Sequence, residues 1–148
     1  MTKFDLLARL RTHKLAVLST TGPAGAPSAA LVGLAVSDAL EVIFDTLSST
    51  RKHANMLRDP RVAVTFSGPG EQTVQIEGLA WAVSVTAEHD AKYREIYYAV
   101  WPDGRARLAW EGLVYWRVTP TWARYTDYAQ SPAAVEFLWG PPRNGSPA

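Results

Sequence analysis

The order of the β-leaning runs and the short links between them most limit how this 148-residue chain can fold. Two apolar runs, residues 14–21 and 27–36, are separated only by "GPAGA", a Gly/Pro cluster typical of a turn. So short a connection joins antiparallel neighbours, because parallel strands need a crossover of about a dozen residues or more. The first part of the chain is therefore predicted to be a β-hairpin.

Three short helices are predicted among the strands. The first covers residues 4–14, where Phe4, Leu7 and Leu10 fall at helical spacing. The second follows Ser48 and stops before Pro60, and the third runs over 87–101. Further strands are predicted at 40–46, 61–66, 73–86 with a bulge at Gly78, 112–120 and 121–128.

This order contains no regular alternation of strand and helix, so a doubly wound parallel sheet is disfavoured. We predict a mainly β (α+β) fold, a small antiparallel barrel with short peripheral helices. One domain is expected over residues 1–140, followed by a flexible C-terminal tail at 141–148.

Composition excludes several classes of protein. Fifteen basic and 14 acidic residues give a net charge of +1, too small to draw the whole chain to nucleic acid or anionic lipid. The N-terminus has no apolar signal region, and no uncharged run approaches the roughly 20 residues of a membrane span. With no cysteine and three scattered histidines, no metal site is assigned. We expect a cytoplasmic protein without nucleic-acid or membrane partners.

Two cations stand where a helix is predicted to begin. Arg51 and Lys52 follow Ser48, Ser49 and Thr50, and positive charge is unfavourable at the positive end of a helix dipole. A phosphate group would compensate, since the free N–H groups, hydroxyls and two cations could all bind it. Alternatively, both cations point into water and a serine merely caps the helix. The residues alone leave both interpretations open.

The segment "FDTLSSTRKHANMLRDPRVAVTF", residues 44–66, resembles the signature segment of the pyridoxamine 5'-phosphate oxidase-like flavoproteins. The stretches "LAVLSTTGPAGAPSAALV" and "VQIEGLAWAV" are similar to the family's opening hairpin and to its strand with Val-x-Ile/Val-Glu-Gly. Together the similarity spans roughly residues 4–87. It implies an FMN-binding antiparallel split β-barrel that forms a homodimer with flavin at the subunit interface.

The resemblance also implies a set of FMN-binding positions. It assigns the phosphate to Arg51, Lys52 and Ser49, and the ribityl chain and ring edge to Asp45 and Thr46. Backbone contacts to the isoalloxazine are implied for Ala30, Leu31 and Val32, and contacts to its polar edge for Thr73 or Gln75. It identifies no catalytic residue.

Three departures separate the chain from true pyridoxamine phosphate oxidases. Their cofactor-binding arginine falls on Ala30 and their substrate-phosphate lysine on Ala35. Their C-terminal Arg-x-His motif is absent, because the last histidine is His89. We therefore expect an FMN-dependent oxidoreductase of unassigned small-molecule substrate. The alternatives are a reductase of the same fold that binds the deazaflavin F420, and a flavin-binding or sensing dimer without catalysis.

The C-terminal third is rich in aromatic side chains whose role the sequence leaves open. Trp116, Trp122, Tyr125 and Tyr128 lie on the last two predicted strands. Alternating aromatic residues on a strand pack a core or a dimer interface, or they border the flavin of a partner subunit.

Overall fold

The computed structural model describes residues 1–140, so the predicted tail at 141–148 lies outside the described residues. Seven strands and three α-helices occur in this part of the chain. The strands are β1 (Leu15–Thr21), β2 (Pro27–Val36), β3 (Val42–Leu47), β4 (Arg61–Ser67), β5 (Thr73–Val83), β6 (Leu113–Thr126) and β7 (Ala134–Leu138). The helices are α1 (Lys3–Leu10), α2 (Arg51–Arg58) and α3 (Ala91–Val100). Within residues 1–140, no helix has the length and apolar character needed to cross a membrane.

The strands form one antiparallel sheet in the order β3-β2-β1-β4-β5-β6-β7. Pairing of β3 with β6 closes the first six into a barrel, and β7 extends the sheet from β6. Hairpin links join β1 to β2 and β4 to β5, as the short turn sequences predict. The predicted antiparallel barrel with short helices is confirmed.

Side-chain alternation divides the strand residues between the barrel interior and the outer face. On β3, for example, Val42 and Phe44 are buried in the interior, whereas Ile43 packs outside against α3. Helix α1 closes one end of the barrel with its leucines, and α2 covers the other end with Met56. Each helix thus protects one mouth of the core from water.

The barrel is split along β2. This strand pairs with β3 only through Leu34–Val36, whereas Pro27–Gly33 pairs with β1. Within the described residues, the segment 27–33 therefore has one edge without a neighbouring strand. That free edge runs toward the end of the barrel that α2 covers.

The prediction of two separate strands at 112–120 and 121–128 is wrong. The structure has one continuous strand, β6, that passes through Pro120. Pro120 lies opposite Gly78, where the register shifts at a bulge, so the missing N–H of proline costs no regular ladder bond. The predicted bulge at Gly78 is confirmed and explains why the proline does not end β6.

Two further details differ from the prediction. Strand β7 was not predicted, because Ala134–Leu138 is a short segment that pairs only with β6. Phe4 is 78% exposed although it falls on the apolar stripe of α1, while Leu6 is fully buried in its place. Helix α1 begins at Lys3, so Phe4 lies in the first turn, outside the mouth of the barrel.

Candidate functional site

The candidate site begins at the N-terminus of α2, where Thr50 occupies the cap position. Its hydroxyl donates to the carbonyl oxygen of Leu47 at 2.8 Å and lies 3.2 Å from the hydroxyl of Thr46. In the part of the chain that the structure describes, no side chain caps the first-turn N–H groups. A serine does not cap this helix, so the first-turn donors stay available to a ligand.

The two cations of the first turn have no carboxylate partner within residues 1–140. Arg51 is exposed and Lys52 is half-buried, and no acidic residue lies in the first turn of α2. Across residues 1–140, no carboxylate forms an ion pair with either side chain. Ser49 is exposed beside them. We call residues 48–52 the α2 corner; its donors and charges suit a phosphate dianion.

The turn before α2 is fixed by the loop that precedes β6. The N–H of Ser48 donates to the carbonyl oxygen of Gly112 at 2.7 Å. Gly112 has a φ of 77°, and a Cβ at this position would lie 2.7 Å from the Ser48 hydroxyl oxygen. The left-handed backbone conformation therefore favours glycine at this position.

The free edge of β2 lies next to this corner. Leu34 donates its N–H to Lys14 on the β1 side, and Ser37 donates to Glu41 on the β3 side. Because these directions alternate along an antiparallel strand, Leu31 presents its N–H and C=O at the free edge. Ala30 and Val32 direct theirs toward β1. Of Ala30, Leu31 and Val32, which were expected to contact the ring through their backbone, Leu31 alone presents its N–H and C=O at the free edge.

Asp45 lies on the outer face of β3 and is held by an arginine that the sequence did not point to. The Nε of Arg107 is 2.8 Å from a carboxylate oxygen of Asp45, and both side chains are largely buried. The same guanidinium donates to the hydroxyl of Tyr97 at 2.8 Å. Burial, and then the nearby Asp45 carboxylate, raise the pKa of Tyr97 well above its usual value. This phenol therefore stays protonated at neutral pH.

Thr73 and Gln75 lie far from the α2 corner in the same chain. Across the sheet, Gln75 pairs with Thr65, Thr65 with Val17, and Val17 with Leu31. Gln75 is thus three strand spacings from Leu31 along the sheet, on the side away from the free edge, and β5 lies across the closed barrel from β2. One copy of the chain therefore does not bring Thr73 and Gln75 to the same ligand as the corner.

Comparisons with known proteins identify the family. The sequence description of the family "Pyridoxamine 5'-phosphate oxidase" matches residues 5–137. The chain belongs to the pyridoxamine 5'-phosphate oxidase family. It is 36% identical over 104 residues to the pyridoxine/pyridoxamine 5'-phosphate oxidase of Cupriavidus metallidurans. That match covers 70% of this chain and 46% of the relative, so the chain spans less than half of the curated enzyme's length.

Solved structures share the fold at low sequence identity. A heme binding protein from Mycobacterium smegmatis superposes with a TM-score of 0.74 at 15% identity, covering 89% of this chain and 56% of that one. A pyridoxamine 5'-phosphate oxidase-related, FMN binding protein from Nostoc punctiforme gives 0.66 at 13% identity, covering 94% and 95%. Proteins of different ligand type thus share this barrel, and the ligand must be argued from the site.

In this member of the pyridoxamine 5'-phosphate oxidase family, the outer face around Ala35 has no room for a long side chain. Ala35 is buried together with Ile43, Tyr93 and Tyr97 where α3 packs on the barrel. A lysine at position 35 would have to displace these side chains or leave its charge buried without a partner. The packing of α3 thus favours a small side chain at position 35.

The aromatic side chains of β6 divide between interior and surface. Trp116 and Tyr125 are buried in the barrel core, as expected if they have a structural role. The indole N–H of Trp116 donates to Nδ1 of His53 at 3.1 Å, which ties α2 to the core. Tyr128 is exposed, and Trp122 is half-buried on the outer face.

Proposed function

We propose that this protein is an FMN-binding flavoprotein that holds the flavin phosphate at the α2 corner. The observation that carries the proposal is a helix N-terminus without a side-chain cap that bears two cations without carboxylate partners. Such an arrangement is electrostatically unfavourable in the free protein and favourable once a dianion is bound. The FMN binding protein of Nostoc punctiforme, which has the same fold, supports this choice of ligand.

The proposed contacts follow from the groups that the site leaves available. Arg51, Lys52 and Ser49 would bind the phosphate together with the first-turn N–H groups. Thr46, the next-to-last residue of β3, would lie along the ribityl chain. The N–H and C=O of Leu31 would pair with the polar edge of the isoalloxazine, which both donates and accepts hydrogen bonds.

We further propose a homodimer with the flavin between the subunits. The residues Leu15, Val17 and Leu31 leave neighbouring apolar side chains exposed on the outer face of β1 and β2. An apolar face of this kind is typical of a protein interface. Because Gln75 is remote from the corner of its own chain, Gln75 or Thr73 would contact the ring from the second copy.

The reaction class follows from the cofactor. FMN, when bound, accepts and returns electrons, and the protein positions the ring and excludes water. We therefore propose an FMN-dependent oxidoreductase acting on a small molecule in the cytoplasm. The buried Ala35 favours a substrate other than pyridoxamine phosphate, because the substrate-phosphate lysine is missing. F420 also carries a phosphate, so it is the second candidate for the same corner.

The test removes both cations of the corner. In the double variant Arg51→Ala with Lys52→Ala, we expect the dissociation constant for FMN to rise more than about tenfold, since two charge-assisted contacts are lost. Titration calorimetry with FMN measures it. The matched control is Lys3→Ala with Arg11→Ala, which removes the same charge at the opposite end of the barrel and is expected to change the constant less than about threefold.

Three outcomes would change the proposal. Equal affinity in the corner variant and the control would exclude the phosphate assignment. Tighter binding of F420 than of FMN by the wild-type protein would favour the deazaflavin. Bound FMN that no nicotinamide donor reduces, across a panel of substrates, would favour a binding or sensing protein.

A further inference from the structure

A segment outside the proposed ligand contacts holds the strand and turn that lead into the α2 corner. This segment is the 3₁₀ stretch Pro102–Ala109, which follows α3. It sends Arg107 to Asp45 on β3, and a few residues later Gly112 accepts the N–H of Ser48. The segment from Asp45 to Ser48 is therefore held at its first residue by Arg107 and at its last residue by Gly112.

The charge of Asp45 matters for an anion bound at the corner. Asp45 stands three residues before Ser48, which is at most about 10 Å along an extended chain. Its side chain is 14% exposed, so water screens its charge weakly. An unpaired carboxylate at this position would repel a phosphate dianion bound by Arg51 and Lys52. Arg107 removes that repulsion by neutralising Asp45.

The guanidinium of Arg107 is held in place by more than this one partner. It donates to the hydroxyl of Tyr97 and to the carboxylate of Asp103 at 2.7 Å, and it lies 5.9 Å from the ring centre of Tyr97. Asp103 is 69% exposed on its side chain, so its charge is well screened by water. Asp45 is consequently the charge that Arg107 neutralises near the corner.

We propose that Arg107 is a positioning residue for the anion site: it neutralises Asp45 and so allows the α2 corner to bind a doubly charged phosphate. The inference rests on the proposed function and adds a residue that touches no part of the ligand. It assigns Asp45 to this ion pair in place of the contact with the ribityl chain that the resemblance implied.

The test compares two ligands that differ only by the phosphate. In Arg107→Met, we expect the dissociation constant for FMN to rise at least about fivefold, because an unpaired and weakly screened negative charge remains on the strand that leads into the corner. For riboflavin, which has the same ring and ribityl chain without phosphate, the change should stay below about twofold. Calorimetric or fluorescence titration of each protein gives both constants.

The second variant separates charge from structure. Adding Asp45→Asn to Arg107→Met removes the unpaired carboxylate, so the double variant should bind FMN at least about threefold more tightly than Arg107→Met alone. If Arg107 merely holds the segment in place, the double variant will bind no better, and riboflavin will lose affinity as much as FMN. That result would overturn the inference.

Two further measurements keep the test decisive. If thermal unfolding shows that Arg107→Met does not fold, Arg107→Lys and the single variant Asp45→Asn replace it. The lysine should retain most of the FMN affinity, and Asp45→Asn should bind FMN at least as tightly as the wild type; weaker FMN binding by Asp45→Asn would contradict the inference. Failure of the wild-type protein to bind FMN would refute the proposed function itself.

Discussion

The two ends of the barrel are closed by helices of equal length that are built on opposite principles. Helix α1 begins with a capping box, in which Thr2 accepts the N–H of Asp5 and the Asp5 carboxylate accepts the N–H of Thr2. Helix α2 has no side-chain cap and carries Arg51 and Lys52 in its first turn. The capping box of α1 satisfies its first-turn N–H group within the chain, whereas α2 has no side-chain cap within residues 1–140.

The side chains that the two helices bury differ in polarity. Helix α1 buries three leucines, whereas α2 buries Met56 and the amide of Asn55. The Asn55 amide donates to the hydroxyl of Thr20 at 3.0 Å and accepts from Arg58 at 2.9 Å. A polar anchor of this kind fixes position more than it adds apolar stabilisation. One end is thus held mainly by apolar burial, whereas the other is held by a polar anchor and carries the proposed anion site.

The largest expected effect concerns the stable end. Leu10→Ala should lower the free energy of unfolding by about 2–5 kcal/mol, because a fully buried leucine leaves a cavity in a closed barrel. Urea unfolding followed by circular dichroism measures it. Phe4→Ala in the same helix is the control and should change stability by less than about 0.5 kcal/mol, since Phe4 is mostly exposed. Similar losses in both variants would mean that α1 does not close the barrel in this way.

A smaller effect is expected at the cap of α1. Thr2→Ala should cost about 1 kcal/mol, because the first turn loses its side-chain acceptor. The backbone and side-chain hydrogen bonds from Thr2 lower the pKa of Asp5 below its ordinary value of 3.8. A carboxyl whose pKa is lower in the folded state stabilises the fold above 3.8 and loses this contribution as the pH falls below it. The stability difference between wild type and Thr2→Ala should therefore shrink from pH 6 to pH 3, and a constant difference would contradict the capping box.

The smallest expected effect is a gain in stability, and it concerns the α2 end of the barrel. Without ligand, Arg51→Ala with Lys52→Ala should raise the free energy of unfolding by a few tenths of a kcal/mol, because each cation opposes the helix dipole. The same variant should weaken FMN binding, so stability and affinity should move in opposite directions. Thermal unfolding with and without FMN measures both. A loss of stability in the free protein would show that the cations stabilise the fold rather than serve a ligand.

The sequence predicts the barrel well because its signals are local. Turn clusters such as "GPAGA" and the helix boundary before Pro60 set strand order and connection length without knowledge of tertiary contacts. Pro120 misled the prediction because its tolerance depends on the pairing of β6 with β5, where the register shifts between Glu77 and Gly78. Strand β7 was missed because a short strand is stabilised by the neighbour it pairs with rather than by its own pattern.

The candidate site also contains one part that local sequence predicts and one part that depends on tertiary contacts. The α2 corner is contiguous in sequence, so Ser49, Arg51 and Lys52 were accessible to reasoning from spacing and from family resemblance. Arg107 lies 62 residues from Asp45, and nothing in the local pattern of either residue indicates that they pair. Contacts of this kind arise from how α3 and the following segment pack on the barrel, which a single sequence does not reveal.

The free edge of β2 also affects how the protein can associate with other chains. A bare strand edge is a template on which a strand of another molecule can form hydrogen bonds, and barrels ordinarily remove such edges by closing. Within residues 1–140 the closure is incomplete over residues 27–33, so this part of β2 keeps an edge with which another strand could pair. Under the proposed function, a flavin bound along that edge would also shield it from strand pairing.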